Sequence, residues 1–301
     1  MDSLTQATLG AALTTAVLGR RMGYKKAALL GAVAGTLPDM DVFIPYTNPL
    51  DAFIAHRGPT HSLLTSLAAA PLAAFAVRSI PWLKAKNISL TRLTTAMALV
   101  FTTHALLDAQ NIYGTKLFWP LTSYPFGQGN MFIADPAYTL PLLVGLLVTL
   151  YRRTPRANHM GLALSTLYLL WSFIAQATIS TQLRESLPTA LKNAPLIVQP
   201  APFHTLAWRG LTVDDENYYL ASTPLVGEKN ITWQAYPRHM YLLHGQKNHP
   251  DVLKLAAFTK GFYAARSNEN TGKTEILDLR MGRLPQSPVF VFSLDTPPPS
   301  L

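Results

Sequence analysis

The stretch GTLPDMDVFIPYTNPLDAFIAHRGPTHS, Gly35–Ser62, lies between two apolar runs. The first run ends at Pro38, and Asp39 and Asp41 follow at once. His56 and His61 bracket the turn-forming Gly58-Pro59, and a second apolar run starts at Ser62. Carboxylates and imidazoles crowded between membrane-grade helices are costly to leave unpaired. A shared metal ion is the usual reason to hold such groups together.

Working outward, six apolar segments are expected to be helical. They lie near Leu4–Leu18, Lys25–Leu37, Ser62–Val77, Leu93–Ala109, Tyr138–Tyr151 and Met160–Ile179. Some fall short of the ~20 residues that cross a full hydrocarbon core, so the first two are read as tilted spans or a half-span pair. The competing reading is a soluble all-helical protein with buried core helices.

Charge favours the membrane. The chain of 301 residues is 49% hydrophobic with a net charge of +9. The connectors after segments one, three and five hold Arg20, Arg21, Lys25 and Lys26; Arg78, Lys84, Lys86 and Arg92; and Arg152, Arg153 and Arg156, with no acidic residue. The opposite connectors hold Asp39, Asp41, Asp51 and Asp135, with only Arg57 and Lys116 as cations. That alternation predicts six spans with the basic connectors in the cytoplasm, and the Asp/His cluster outside the cytoplasmic (inner) membrane. No basic stripe interleaved with aromatics appears, so nucleic acid is not an expected partner. The expected partner is the lipid bilayer. Trp82, Trp119 and Trp171 near segment ends read as interfacial aromatics.

Beyond Ile179 the composition shifts, and Pro188, Pro195, Pro200 and Pro202 suggest a linker. β-type runs follow at His204–Val213, Tyr218–Ser222, Ile231–Tyr236, Met240–Leu243, Glu275–Leu279 and Val289–Leu294, with a helical run at Asp251–Ala265. The fold class expected is therefore mainly α. Residues 1–180 form a polytopic helical membrane domain, and residues 181–301 a small extracytoplasmic α+β domain around an antiparallel sheet. The tail Thr296–Leu301 is proline-rich and expected to fray.

The chain has no cysteine, so thiolate ligands and nucleophiles are excluded and any metal must take nitrogen and oxygen donors. His104 and Asp108 stand four residues apart, on one face of an expected helix. His56, His61, His104 and Asp108 are the preferred metal ligands. Asp39 and Asp41 serve as ligand and general base in either order. Asp135 is read as a helix cap or a further ligand, and Asp2 as a cap. Arg57 either binds an anionic substrate group in a fork or pairs with an aspartate. Asn111 is a candidate for outer hydrogen bonds. His159, His204, His239, His244 and His249 show no ligand spacing. No G-x-S-x-G, H-E-x-x-H, Walker or dinucleotide motif appears, which weighs against an intramembrane metalloprotease.

Six separated motifs resemble a bacterial family of membrane-bound, metal-dependent hydrolases. They are MDSLTQATLG from Met1, GTLPDMDVF from Gly35, HRGPTHSLL from His56, THALLDAQNIYGT from Thr103, IADPAYTLPLL from Ile133 and RRTPRANHMGLALSTLYL from Arg152. Members often carry His where this chain has Gln6, and often an aromatic where it has Gln110. The resemblance implies a helical membrane protein with a divalent-metal site and hydrolytic activity. A looser likeness is to zinc-dependent phospholipase C. The expectation is a hydrolase of an ester or phosphoester, its substrate a lipid or other amphiphile. Zinc is preferred and manganese second. The alternative is a non-catalytic membrane scaffold or regulator with a structural metal.

Overall fold

Each of the six apolar runs is a helix in the computed structural model, which describes residues 1–80, 87–227 and 230–294. Trp82, Lys84, Lys86 and the tail Thr296–Leu301 lie outside the described residues. Contacts divide the chain into two units. The first is Met1–Pro45, His56–Ile174 and Pro202–His204; the second is Tyr46–Ala55, Ala175–Ala201 and Thr205–Leu301.

In the first unit, α1 (Ser3–Met22) and α2 (Tyr24–Thr36) are joined by a single turn at Gly23, whose φ is +91°. Asp2 caps α1 by accepting from the Thr5 N–H at 3.0 Å. The two helices meet backbone to backbone. A Cβ at Gly35 would lie 2.6 Å from the Gln6 carbonyl oxygen, and Gly10 and Gly31 leave still less room. Small residues that let backbones approach are how helices associate in lipid, where apolar burial gives no driving force. Thr14 adds a hydroxyl bond to the Ala27 carbonyl at 2.7 Å.

After a short helix α3 (Pro49–Ala55) in the second unit, α4 (Leu63–Arg78) and α5 (Leu90–Asp108) pack together through Ala70, Ala74, Ala96 and Met97. Ser62 caps α4 through the Leu64 N–H. α6 (Pro136–Arg152) packs on α1 and is capped by Asp135, which accepts from the Ala137 N–H at 3.0 Å and the Tyr168 hydroxyl at 2.8 Å. α7 (Arg156–Ser186) meets α6 through a second glycine contact, Gly145 against Ala157.

Six spans are not what these helices make. Among the described residues two helices, α5 and α7, are long and apolar enough to cross a membrane, and three if Pro49–His61 and α4 count as one bent span. α2 has 13 residues and α6 has 17, both under the ~20 a crossing needs. α1 has the length, but it buries Thr5, Gln6, Thr8, Thr14 and Thr15 and ends on Arg20-Arg21. Apolar composition marks a helix; it does not separate a lipid-facing span from one packed inside the protein.

The second unit is β-rich. Strands β1 (Leu196–Pro200), β2 (Ala207–Val213), β3 (Asn217–Pro224) and β4 (Gln234–Pro237) form one antiparallel sheet in that order. β5 (Tyr263–Ser267), β6 (Thr274–Asp278) and β9 (Val291–Ser293) form another, and β7 (Gly282–Arg283) pairs with β8 (Ser287–Pro288). Phe53 of α3 packs on Phe258 of α8 (Pro250–Thr259). Where a linker was expected, α7 continues to Ser186 and β1 follows. The run Met240–Leu243 is a 3-10 turn, not a strand. α8 stops at Thr259, short of the expected Ala265, because Lys260 and Gly261 both take positive φ.

Candidate metal centre

The site forms where α2 ends, α4 begins and α5 ends. Pro38 stops α2 and starts a 3-10 turn, Pro38–Phe43, which carries Asp39 and Asp41. A second 3-10 turn, Pro59–His61, delivers His61 just before α4. His104 and Asp108 project from the last turn of α5.

Four donor atoms converge. His61 Nε2 lies 3.0 Å from His104 Nε2, 3.1 Å from Asp39 Oδ1 and 3.2 Å from Asp108 Oδ2. His104 Nε2 lies 3.4 Å from Asp39 Oδ1 and 3.8 Å from Asp108 Oδ2. All four atoms fall within 4.8 Å of one another, the one such group among the described residues. A tetrahedral ion with bonds of 2.0–2.2 Å needs donor separations of about 3.3–3.6 Å, close to these.

The hydrogen bonds behind the donors say which atoms carry protons. His104 Nδ1 is 2.8 Å from the Gly35 carbonyl, which only accepts, so Nδ1 donates. Thr60 Oγ1 donates to the Asp41 carboxylate at 2.7 Å, so it must accept from His61 Nδ1 at 2.9 Å. A neutral ring that donates through Nδ1 has its lone pair on Nε2. Two imidazole lone pairs and two carboxylate oxygens therefore face one point, an arrangement that calls for a cation. Burial opposes ionisation of Asp41, but His56, His61 and Thr60 hold its carboxyl well below the ordinary carboxylate range. The residues present thus fit a divalent ion.

His56, expected as a ligand, stands outside the four. Its Nδ1 lies 2.7 Å from Asp41 Oδ1, and its side chain is 22% exposed. Asp39, one of the two aspartates read as ligand or general base, is the fourth donor. Arg57 is buried with φ +61°; its N–H donates to Asp41 at 3.1 Å. Its Nε lies 3.1 Å from Asp108 Oδ2, and Nη1 donates to Asn111 Oδ1 at 3.0 Å. Arg57 therefore pairs with an aspartate, and Asn111 orients it. Asp135 and Asp2 are helix caps outside the cluster. His159 is exposed on α7.

Four contributors had little sequence signal. Gln6 donates to Asp108 Oδ1 at 2.9 Å, and the Met1 amine meets the same oxygen. Thr60 links His61 to Asp41, and nothing but its place beside His61 marks it. Gly35 supplies the carbonyl for His104, and the Gly31–Gly35 spacing, a small-xxx-small pattern, was its available clue. Loss of an outer hydrogen bond of this kind costs metal affinity about 10–100-fold. Thr60→Val, which keeps shape and removes the hydroxyl, is expected to weaken metal binding within that range. Competitive titration with a chromogenic chelator measures it.

The fold and site define a class: a helical membrane protein with a buried two-histidine, two-aspartate cluster suited to a metal. The family model described as YdjM inner membrane protein matches residues 1–179, and the chain belongs to that family. No curated protein and no solved structure matches the chain.

Proposed function

We propose that this protein is a metal-dependent hydrolase of the inner membrane, acting on an ester or phosphoester of an amphiphile. The observation that carries the reading is the division of labour between two aspartates. Asp39 joins the cluster, while Asp41 holds His56 beside it and outside it. His61, His104, Asp108 and Asp39 would hold the ion, zinc first and manganese second. Bound there, a divalent ion polarises a carbonyl or phosphoryl oxygen and acidifies water.

The chain's own groups do the rest. Asp41 fixes the His56 ring through Nδ1 and leaves Nε2 to take a proton from the attacking water and return it to the leaving oxygen. Arg57 balances the charge of Asp108 and keeps the carboxylate in place. Asp39, with its side chain 20% exposed against 0–1% for the other three, marks the side from which substrate enters.

His56→Gln is expected to keep full metal occupancy and lose activity by about 10²–10⁴-fold, the usual worth of a positioned acid–base group. Metal analysis together with a screen of esters, phosphoesters and peptides checks both halves. Loss of metal in that variant would return His56 to the ligand set.

Four protein donors are also enough to close a tetrahedral shell, which favours the second reading, a structural metal in a scaffold or regulator. Cobalt-substituted protein separates the two. A visible spectrum that shifts on adding phosphate or a hydroxamate shows a coordination position open to substrate; an inert spectrum supports the structural role.

The membrane orientation proposed puts this site outside the cytoplasm. Arg20, Lys25 and Lys26 at the α1–α2 turn share one cavity with Arg153 at the end of α6, so two basic connectors gather on one face. Reporter fusions at Arg92, at the start of α5, are expected to read cytoplasmic, and those at Leu121, beyond its end, extracytoplasmic. The reverse pattern would place the site inside the cell.

A further inference from the structure

Next to the metal cluster, the helical unit carries a groove of about 550 Å³. Leu37 and Pro38 form one wall, Pro59 and Thr60 the mouth, and α4 and Phe101 of α5 the long sides. We infer that this groove seats one acyl chain of a membrane lipid, so that the substrate is a lipid cleaved at the headgroup end of that chain. The inference rests on the hydrolase reading and names its substrate class.

Continuity with the site is the first argument. Pro38 directly precedes Asp39, Thr60 is bonded to His61, and Phe101 lies one helical turn from His104. The groove wall therefore adjoins residues bearing three of the four donors. It also begins on the side of Asp39, the partly exposed one.

The chemistry of the lining is the second. Its polar groups are the hydroxyls of Thr60, Thr65 and Ser66. Each is already bonded within the protein: Thr60 to Asp41, Thr65 to the Pro59 carbonyl, and Ser66 to the Phe101 carbonyl at 3.5 Å. A sugar or peptide placed there would lose its hydrogen bonds to water with no replacement. A hydrocarbon chain loses none.

Length is the third. From Thr65 to Ala73 the groove follows α4 for about 12 Å at 1.5 Å per residue. One leaflet of the ~30 Å hydrocarbon core is about 15 Å deep. Ala69 and Ala73 supply the width by being small. Because lipid tails are as apolar as the groove, the fit sets position more than affinity.

The test uses the full chain in vesicles of phosphatidylethanolamine and phosphatidylglycerol doped with phosphatidylglycerol bearing a diazirine in one acyl chain. After irradiation, adducts are expected to concentrate on Leu72, Ala73 and Phe101, several-fold above exposed Leu147 on α6 and Leu167 on α7. Ala69 is exposed, so Ala69→Phe fills the groove without overpacking the core. That variant is expected to lose the groove adducts with metal content unchanged; Leu147→Phe is expected to keep them. Adducts spread evenly over all exposed apolar positions, with no effect of Ala69→Phe, overturn the inference. A second arm compares nitrophenyl esters of long and short acyl chains with the metal-loaded protein. Ala69→Phe is expected to lower the long-to-short rate ratio at least about tenfold. An unchanged ratio sinks the acyl seat and leaves the hydrolase reading standing. If the wild type hydrolyses no ester or phosphoester, the hydrolase reading falls and the substrate assignment with it, while the adduct map still decides whether a lipid chain lies there.

Discussion

Asp108→Ala, His61→Ala and His104→Ala are each expected to reduce bound metal from about one ion per chain to near none, and to abolish the proposed activity. The reason is that the four donors form one centre with no spare. Each ligand contributes an atom within 4.8 Å of all the others, and no further His or carboxylate joins the group among the described residues. The ligands' own supports give the lower bound. If an outer hydrogen bond is worth about 10–100-fold in affinity, loss of a donor atom costs more. The losses do not add, since groups that act as a unit fail together; His61→Ala with His104→Ala is no worse than either alone. Two controls sharpen the result. His159→Ala, on an exposed position of α7, is expected to keep metal and activity. His56→Ala is expected to keep metal, because its Nδ1 is committed to Asp41. Plasma emission analysis of the purified variants reads the stoichiometry directly. Full occupancy in all three ligand variants would make these side chains ordinary buried polar groups.

Gly31→Leu is the second large effect, and it acts at a distance from any donor. A Cβ at this position overlaps the Gly10 carbonyl oxygen and the Thr14 hydroxyl, and the first of these is backbone that cannot rotate away. The α1–α2 pair must separate. Overpacking costs about 1–3 kcal/mol where side chains can yield, so a backbone clash belongs at or above that upper end. The metal should weaken in parallel. α2 presents the Gly35 carbonyl to His104 and leads directly into Asp39, so shifting α2 displaces one donor and the support of another. Thermal unfolding in detergent, followed with and without added metal, reads both effects. Leu29→Ala, at an exposed position of the same helix, is expected to change neither. An unaltered transition in Gly31→Leu would show that the helices part without consequence.

The helices were legible because most of the apolar runs are bounded by proline, glycine or a basic pair, as at Gly23, Pro38 and Pro136. The number of crossings was not. Thr5, Thr8, Thr14 and Thr15 of α1 are buried, and the Thr14 hydroxyl bonds to the Ala27 carbonyl of α2. The strands of the second unit were half visible. β1, Leu-Ile-Val-Gln-Pro, sits among the prolines that suggested a linker, and β5 follows α8 with no charge between Phe262 and Arg266 to mark the change. At the site, His61, His104 and Asp108 could be chosen on spacing and on the cost of burying them. The order of Asp39 and Asp41 could not, because Met40 alone separates them in a tight 3-10 turn that aims one carboxylate at the ion site and the other at Thr60 and His56. Nor could spacing tell that His56 spends a nitrogen on Asp41.

Asp41 holds Thr60, and through it His61, with one oxygen, and His56 with the other. On the proposed hydrolase reading, one carboxylate thus anchors both the retention of the ion and the handling of the proton. The dependence is lopsided. A single change at position 56 would leave a descendant that keeps its ion and does no chemistry, a pseudoenzyme one step away. A change at position 41 offers no such halfway form, because both capacities decline at once. Drift in this lineage is therefore expected to silence the reaction before it empties the site.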